Sequence, residues 1–110
     1  DTEGVVVEGT MSNLFLVRNG VVQTPDLSRC GVAGIMRERV ILLARELGMA
    51  VREGEYRLDD LQGADELFLT NSLVGIWPVH RVGARRYRSP GEITRELQQK
   101  IEQIRIGFSL

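Results

Sequence analysis

Three short stretches carry residue types suited to holding a small anionic molecule. Gly31-Val32-Ala33-Gly34 leads straight into helix-like sequence beginning at Ile35. An approach so poor in side chains leaves the first N–H groups of a helix, which lack intrahelical acceptors, open to an anion such as phosphate. The spacing is neither a P-loop nor a dinucleotide fingerprint, and glycine is also an ordinary N-cap. Glu8-Gly9-Thr10-Met11-Ser12-Asn13 is a polar turn between two apolar runs, opening with a carboxylate that either meets a cation or faces solvent. Thr70-Asn71-Ser72 follows the apolar Leu67-Phe68-Leu69 and can supply donors beside the helix start or satisfy its own backbone. Taken singly, each has a plain structural reading: a cap, a hairpin loop and a turn.

The remaining reactive residue types read as architecture. His80, the single histidine, sits beside Arg81 on strand-like sequence and is expected to be structural or exposed. Trp77 is expected to be a packing residue. Cys30 stands alone, so it forms no internal disulfide, and without nearby Cys or His partners no metal site is expected.

Positioning these stretches falls to strands and helices of recognisable pattern. Val5-Val6-Val7 and Leu14-Phe15-Leu16-Val17 read as strands, and Asn19-Gly20 before Val21-Val22 is a hairpin signal, because both turn residues tolerate positive φ. The first third is therefore a β-meander, ended by Thr24-Pro25-Asp26. From Ile35 to Leu47 the period becomes helical, with Met36, Val40, Leu43 and Leu47 on one face and Arg37, Glu38, Arg45 and Glu46 largely off it. Gly48 ends that helix. Ala50 to Tyr56 reads as a strand, Leu58 to Leu61 as a helical turn, Glu66 to Thr70 as a buried strand, and Ile76 to Val82 as a strand whose Pro78 marks an edge or bulge. After Ser89-Pro90-Gly91, with Glu92 near its start, Ile93, Leu97, Ile101, Ile104 and Phe108 form the stripe of an amphipathic helix. The order predicts an α/β or α+β domain with helices packed on a mixed sheet.

Composition narrows the function classes. The 110 residues, 43% apolar and without repeats or linkers, suit one hydrophobic core. With 14 basic against 15 acidic side chains, the chain lacks the concentrated positive surface of a nucleic-acid binder. Arg81, Arg85, Arg86 and Arg88 read as a solvated hairpin edge. No apolar run approaches the roughly 20 residues of a membrane span, and no signal-peptide plan opens the chain, so a cytoplasmic protein is expected. The opening at Asp1, without methionine, suggests a processed product or an excised domain. Lys100 is the single lysine, off the helical stripe and expected to be solvated.

Together the stretches are far more specific than any one alone. Val7-Glu8-Gly9-Thr10-Met11-Ser12-Asn13-Leu14-Phe15, the Thr24-Pro25 stop, Gly31-Val32-Ala33-Gly34-Ile35-Met36-Arg37, Ala64-Asp65-Glu66-Leu67-Phe68 and Trp77-Pro78-Val79, in that order and spacing, resemble the C-terminal domain of fold-type IV pyridoxal-phosphate enzymes. The resemblance covers about Glu3 to Gln99. It implies a mixed β-sheet or pseudo-barrel with two packed helices, residues 1–110 forming a single cofactor-binding domain. It further implies pyridoxal 5'-phosphate as cofactor, a small-molecule substrate, and a homodimer in the full-length protein. Gly34-Ile35-Met36-Arg37 replaces the Gly-Ile-Thr-Arg usual in the aminotransferases and resembles the 4-amino-4-deoxychorismate lyases. That likeness implies conversion of 4-amino-4-deoxychorismate to 4-aminobenzoate and pyruvate in folate biosynthesis. The alternatives are a branched-chain or D-amino-acid aminotransferase of the same fold and, from another class, a non-catalytic binding module.

Residue by residue, the resemblance implies that Glu8 faces the pyridine nitrogen of the cofactor and keeps it protonated. Ile35 and Met36 match the positions whose backbone N–H groups bind the phosphate, with Gly34 allowing close approach. Asn71 and Ser72 match the turn that completes the phosphate cup, and Thr10, Met11 and Ser12 match positions lining the cofactor's ring face. No catalytic residue is expected within the chain, because the Schiff-base lysine of the family is expected upstream of Asp1. The fragment alone is accordingly expected to be inactive.

Overall fold

Leu14-Phe15-Leu16-Val17 forms the middle of strand β1 (Asn13–Arg18), and all four side chains are buried. A strand buried on both faces needs a packed layer on each side of its sheet. In the computed structural model, which describes residues 13–25, 34–71 and 75–108, β1 lies at the centre of a five-stranded sheet. It pairs antiparallel with β2 (Val21–Pro25) on one side and with β4 (Glu66–Asn71) on the other. Outside these, β3 (Val51–Gly54) runs parallel to β2 and β5 (Gly75–Val79) antiparallel to β4, giving the order β3-β2-β1-β4-β5. The expected β-meander is borne out for β1 and β2; Val5-Val6-Val7 lies outside the described residues.

Local chemistry explains the joints. Asn19 and Gly20 take φ of 53° and 77°, the left-handed pair that suits a two-residue hairpin between twisted strands. The Asn19 N–H donates to Asp65 Oδ2 at 2.8 Å, tying this turn to the entry of β4. Because β2 and β3 are parallel, a crossover must join them, and α1 (Ile35–Glu46) lies in that connection. It stops at Gly48, whose φ is 84°.

The alternation along β1 feeds two separate clusters. Phe15 and Val17, with Phe68 and Ile76, meet Met36, Val40, Ile41 and Ala44 of α1 and Leu97 and Ile101 of α3 (Glu92–Phe108). On the opposite face Leu14, Leu16 and Leu67 meet Leu61 of the short α2 (Leu58–Gln62), Ala64 and Tyr87. Phe15 and Phe68 are direct cross-strand partners whose rings stack with centroids 4.9 Å apart, a geometry worth about 0.5–1.5 kcal/mol beyond its area. The α3 stripe is buried at Leu97 and Ile101 but runs off the domain at Ile104, which is exposed.

Three expectations need correction. The strand expected over Ile76 to Val82 breaks at His80 into β5 and β6 (Arg81–Val82), which pairs with β7 (Arg85–Arg86) in its own hairpin. The break follows from anchoring on the α2 side. Arg85 donates to the carbonyls of Gln62 and Ala64 and stands 4.6 Å from the Tyr87 ring centroid, and the Tyr87 hydroxyl donates to Leu61 O at 2.6 Å. Burial pushes the Tyr87 phenol above its usual range, with the Arg85 charge acting in the opposite sense. Trp77 is 61% exposed rather than packed, because β5 is an edge strand and its neighbour Ile76 takes the side facing the helices. Arg37, placed off the apolar face of α1 by its charge, is 2% exposed. Its position shares a stripe with Val40, Ile41 and Ala44, and the partners described below replace water.

Candidate functional site

The antiparallel pairing decides which segments meet. The start of β1, the end of β2, the end of β4 and the start of β5 all lie at one end of the sheet, since Asn13 pairs with Thr70, Asn71 with Gly75, and Leu16 with Gln23. The N-terminus of α1 is brought to that same end: a Cβ on Gly34 would overlap the Asn13 side-chain oxygen. Polar pairing holds this edge in register. The Thr24 hydroxyl donates to Leu14 O at 2.7 Å, and both groups are buried.

At α1 itself, Gly34 is the N-cap in an extended conformation, and no side chain among the described residues caps it. The first intrahelical bond runs from Glu38 N–H to Gly34 O at 3.2 Å, so the amides of Ile35, Met36 and Arg37 have no acceptor within the helix. Ile35 is 69% exposed, whereas the Met36 side chain is 5% exposed within the helix-side core. Met36 can therefore offer a ligand at this end its backbone N–H and not its side chain.

The first turn of α1 is fixed by Arg37. Nη2 donates to Pro25 O at 3.1 Å and to Glu53 Oε1 at 2.8 Å, while Nη1 donates to Glu38 Oε2 at 2.7 Å. Pro25 ends β2 and Glu53 lies opposite Thr24 on β3, so one guanidinium joins the helix start to the ends of both parallel strands. Among the described residues its buried Nε has no hydrogen-bond partner.

Of the residues singled out in the sequence, Gly34, Ile35, Met36 and Asn71 are thus gathered at one end of the sheet, with Asn71 half-buried at the close of β4. Glu8, Thr10, Met11, Ser12, Ser72 and Cys30 lie outside the described residues. Sequence reasoning missed two residues at this end: Asn13, read as part of a turn, begins β1, and Arg37 is buried. The signal for Arg37 was its i, i+3, i+4, i+7 spacing to Val40, Ile41 and Ala44. His80 is exposed, and its carbonyl accepts from Tyr87 N–H at 2.9 Å. Lys100 is exposed on α3.

The described residues thus make an α+β domain in which a helix terminus, capped by Gly34 and by no described side chain, stands at one end of a mixed sheet. The family pattern for amino-transferase class IV matches residues 1–82, and the chain belongs to that family. A 4-amino-4-deoxychorismate lyase structure from Pseudomonas aeruginosa superposes with a TM-score of 0.84 at 42% identity, over 92% of this chain and 37% of that one. A Methanocaldococcus jannaschii protein, provisionally named a branched-chain-amino-acid aminotransferase, is 44% identical over 100% of this chain and 39% of its own length. The T.th. branched-chain amino acid aminotransferase, solved in complex with N-(5'-phosphopyridoxyl)-L-glutamate, has a TM-score of 0.78 at 31% identity, over 84% of this chain and 31% of that one. The chain spans about two-fifths or less of the length of these relatives. Among the described residues no helix is long and apolar enough to cross a membrane, and no group of His, Cys, Asp or Glu is arranged to hold a metal.

Proposed function

We propose that residues 1–110 are the C-terminal, cofactor-binding domain of a pyridoxal-phosphate enzyme, most specifically a lyase releasing 4-aminobenzoate and pyruvate from 4-amino-4-deoxychorismate. The observation that carries this reading is the start of α1, where the amides of Ile35 and Met36 precede the first intrahelical bond and no described side chain caps them. A phosphate dianion fits there: helix N–H groups and the positive dipole end favour it by about 0.3–1 kcal/mol through the dipole, and hydrogen bonds to a charged acceptor add about 1.5–3 kcal/mol each. When bound, pyridoxal phosphate supplies an electron-accepting ring that stabilises negative charge on the substrate carbon. In this reading Gly34 lets the phosphate approach, Ile35 and Met36 donate to it, and Asn71 and Ser72 complete the cup. Glu8 holds the proton on the pyridine nitrogen, and Thr10, Met11 and Ser12 line the ring face. The covalent anchor, a lysine, comes from sequence preceding Asp1. The full-length enzyme acts as a cytoplasmic homodimer in folate biosynthesis.

Two observations support the lyase in particular: Met36 replaces the aminotransferase threonine and buries its side chain, and the lyase superposes over 92% of the chain. The aminotransferase alternative draws on the 44% identity to the M. jannaschii protein. Incubating the full-length protein with 4-amino-4-deoxychorismate and assaying pyruvate separates them. Stoichiometric pyruvate is expected; amino transfer to a keto acid without pyruvate would overturn the lyase in favour of the aminotransferase.

A further inference from the structure

We infer that Arg37 is the positioning residue of the α1 terminus, holding the Ile35 and Met36 amides where the cofactor phosphate meets them; this rests on the phosphate reading above. A guanidinium that is 2% exposed gives up the hydration of its charge, a cost that well-packed apolar side chains of similar volume avoid. What its retention provides is visible in its contacts. From one side chain it binds the last residue of β2 through Pro25 O, β3 through Glu53, and its own helix through Glu38. The crossover between two parallel strands is thereby pinned at the turn whose amides carry no intrahelical bond. Arg37 also balances charge. Glu38 and Glu53, with side chains 57% and 41% exposed, bring two carboxylates to the first turn of α1, where an incoming phosphate would meet them. The fork geometry is specific to arginine, because a lysine ammonium cannot serve both carboxylates and the Pro25 carbonyl from two nitrogens in one plane.

The test compares the affinity of the full-length protein for pyridoxal 5'-phosphate with that for pyridoxal, which lacks the phosphate. The ratio isolates the phosphate contribution and is blind to a loss that is merely structural. Arg37→Met is expected to lower the ratio about tenfold, and Arg37→Lys, which keeps charge and much of the volume and serves if the methionine variant does not fold, about threefold. Arg39→Met, removing an exposed arginine two residues along the same helix, is expected to leave it unchanged. A ratio preserved in both Arg37 variants while their melting temperatures fall would overturn the inference and leave the phosphate reading standing. Equal affinities of the unmutated protein for the two compounds would overturn that reading and the inference with it.

Discussion

Both long helices begin after a glycine, Gly34 before α1 and Gly91 before α3, and at both the place of the missing Cβ is filled by a polar side chain from the sheet. The fillers differ in what they do. At α3 the filler is a carboxylate: Glu66 at the start of β4 accepts from Thr94 N–H at 2.8 Å, Ile93 N–H at 3.2 Å and the Thr94 hydroxyl at 2.7 Å. The domain has built its own anion into that terminus. At α1 the filler is the neutral amide of Asn13, and no described side chain caps the helix. Among the described residues the same backbone device is closed by a side chain in one place and left uncapped in the other, at opposite ends of β4. Closure gives stability; in the proposed function the uncapped terminus offers its donors to a ligand.

Breaking the closed end should have the larger effect. Glu66→Ala removes three hydrogen bonds to a buried carboxylate and leaves two helix amides without acceptors, so it should destabilise the full-length protein by about 3 kcal/mol in denaturant unfolding. The pyridoxal phosphate to pyridoxal affinity ratio should stay as it was. Movement of that ratio with Glu66→Ala would mean that the two termini are not independent.

Breaking the open end should do the reverse. In Gly34→Ala the new methyl would overlap the Asn13 amide oxygen, the movable tip of a side chain, while its other described neighbours, Asn13 Cγ and Arg37 Cβ, lie at ordinary contact distance, so unfolding free energy should change by less than about 1 kcal/mol. The methyl and the Asn13 amide it displaces would nonetheless crowd the terminus proposed to hold the phosphate, and the affinity ratio should fall about tenfold. A large loss of stability without change in the ratio would show Gly34 to be a packing residue.

The contrast between the two ends also explains what could be read in advance. The Asn19-Gly20 hairpin, the span of α1 and its stop at Gly48, and the Leu97-Ile101 stripe were legible because each is set by residues near in sequence. Glu66 as the cap of α3 was not: its partners are 27 and 28 residues away, and nothing local distinguishes a capping carboxylate from a solvated one. Arg37 was misplaced for a related reason. Its burial depends on Pro25 and Glu53, which only the parallel β2 and β3 pairing brings beneath α1. The break at His80 likewise came from Arg85 and Tyr87 reaching back to α2. At the candidate site, Gly34 and the helix start at Ile35 were legible, while the role of Asn13 beside Gly34 required the sheet to be assembled.

The most direct measurement is backbone amide NMR of the full-length protein titrated in parallel with pyridoxal 5'-phosphate and with pyridoxal. The account predicts that the shifts specific to the phosphorylated compound are greatest at Ile35 and Met36 and absent at Ile93 and Thr94, whose amides Glu66 already holds. Phosphate-specific shifts missing from Ile35 and Met36 would contradict it.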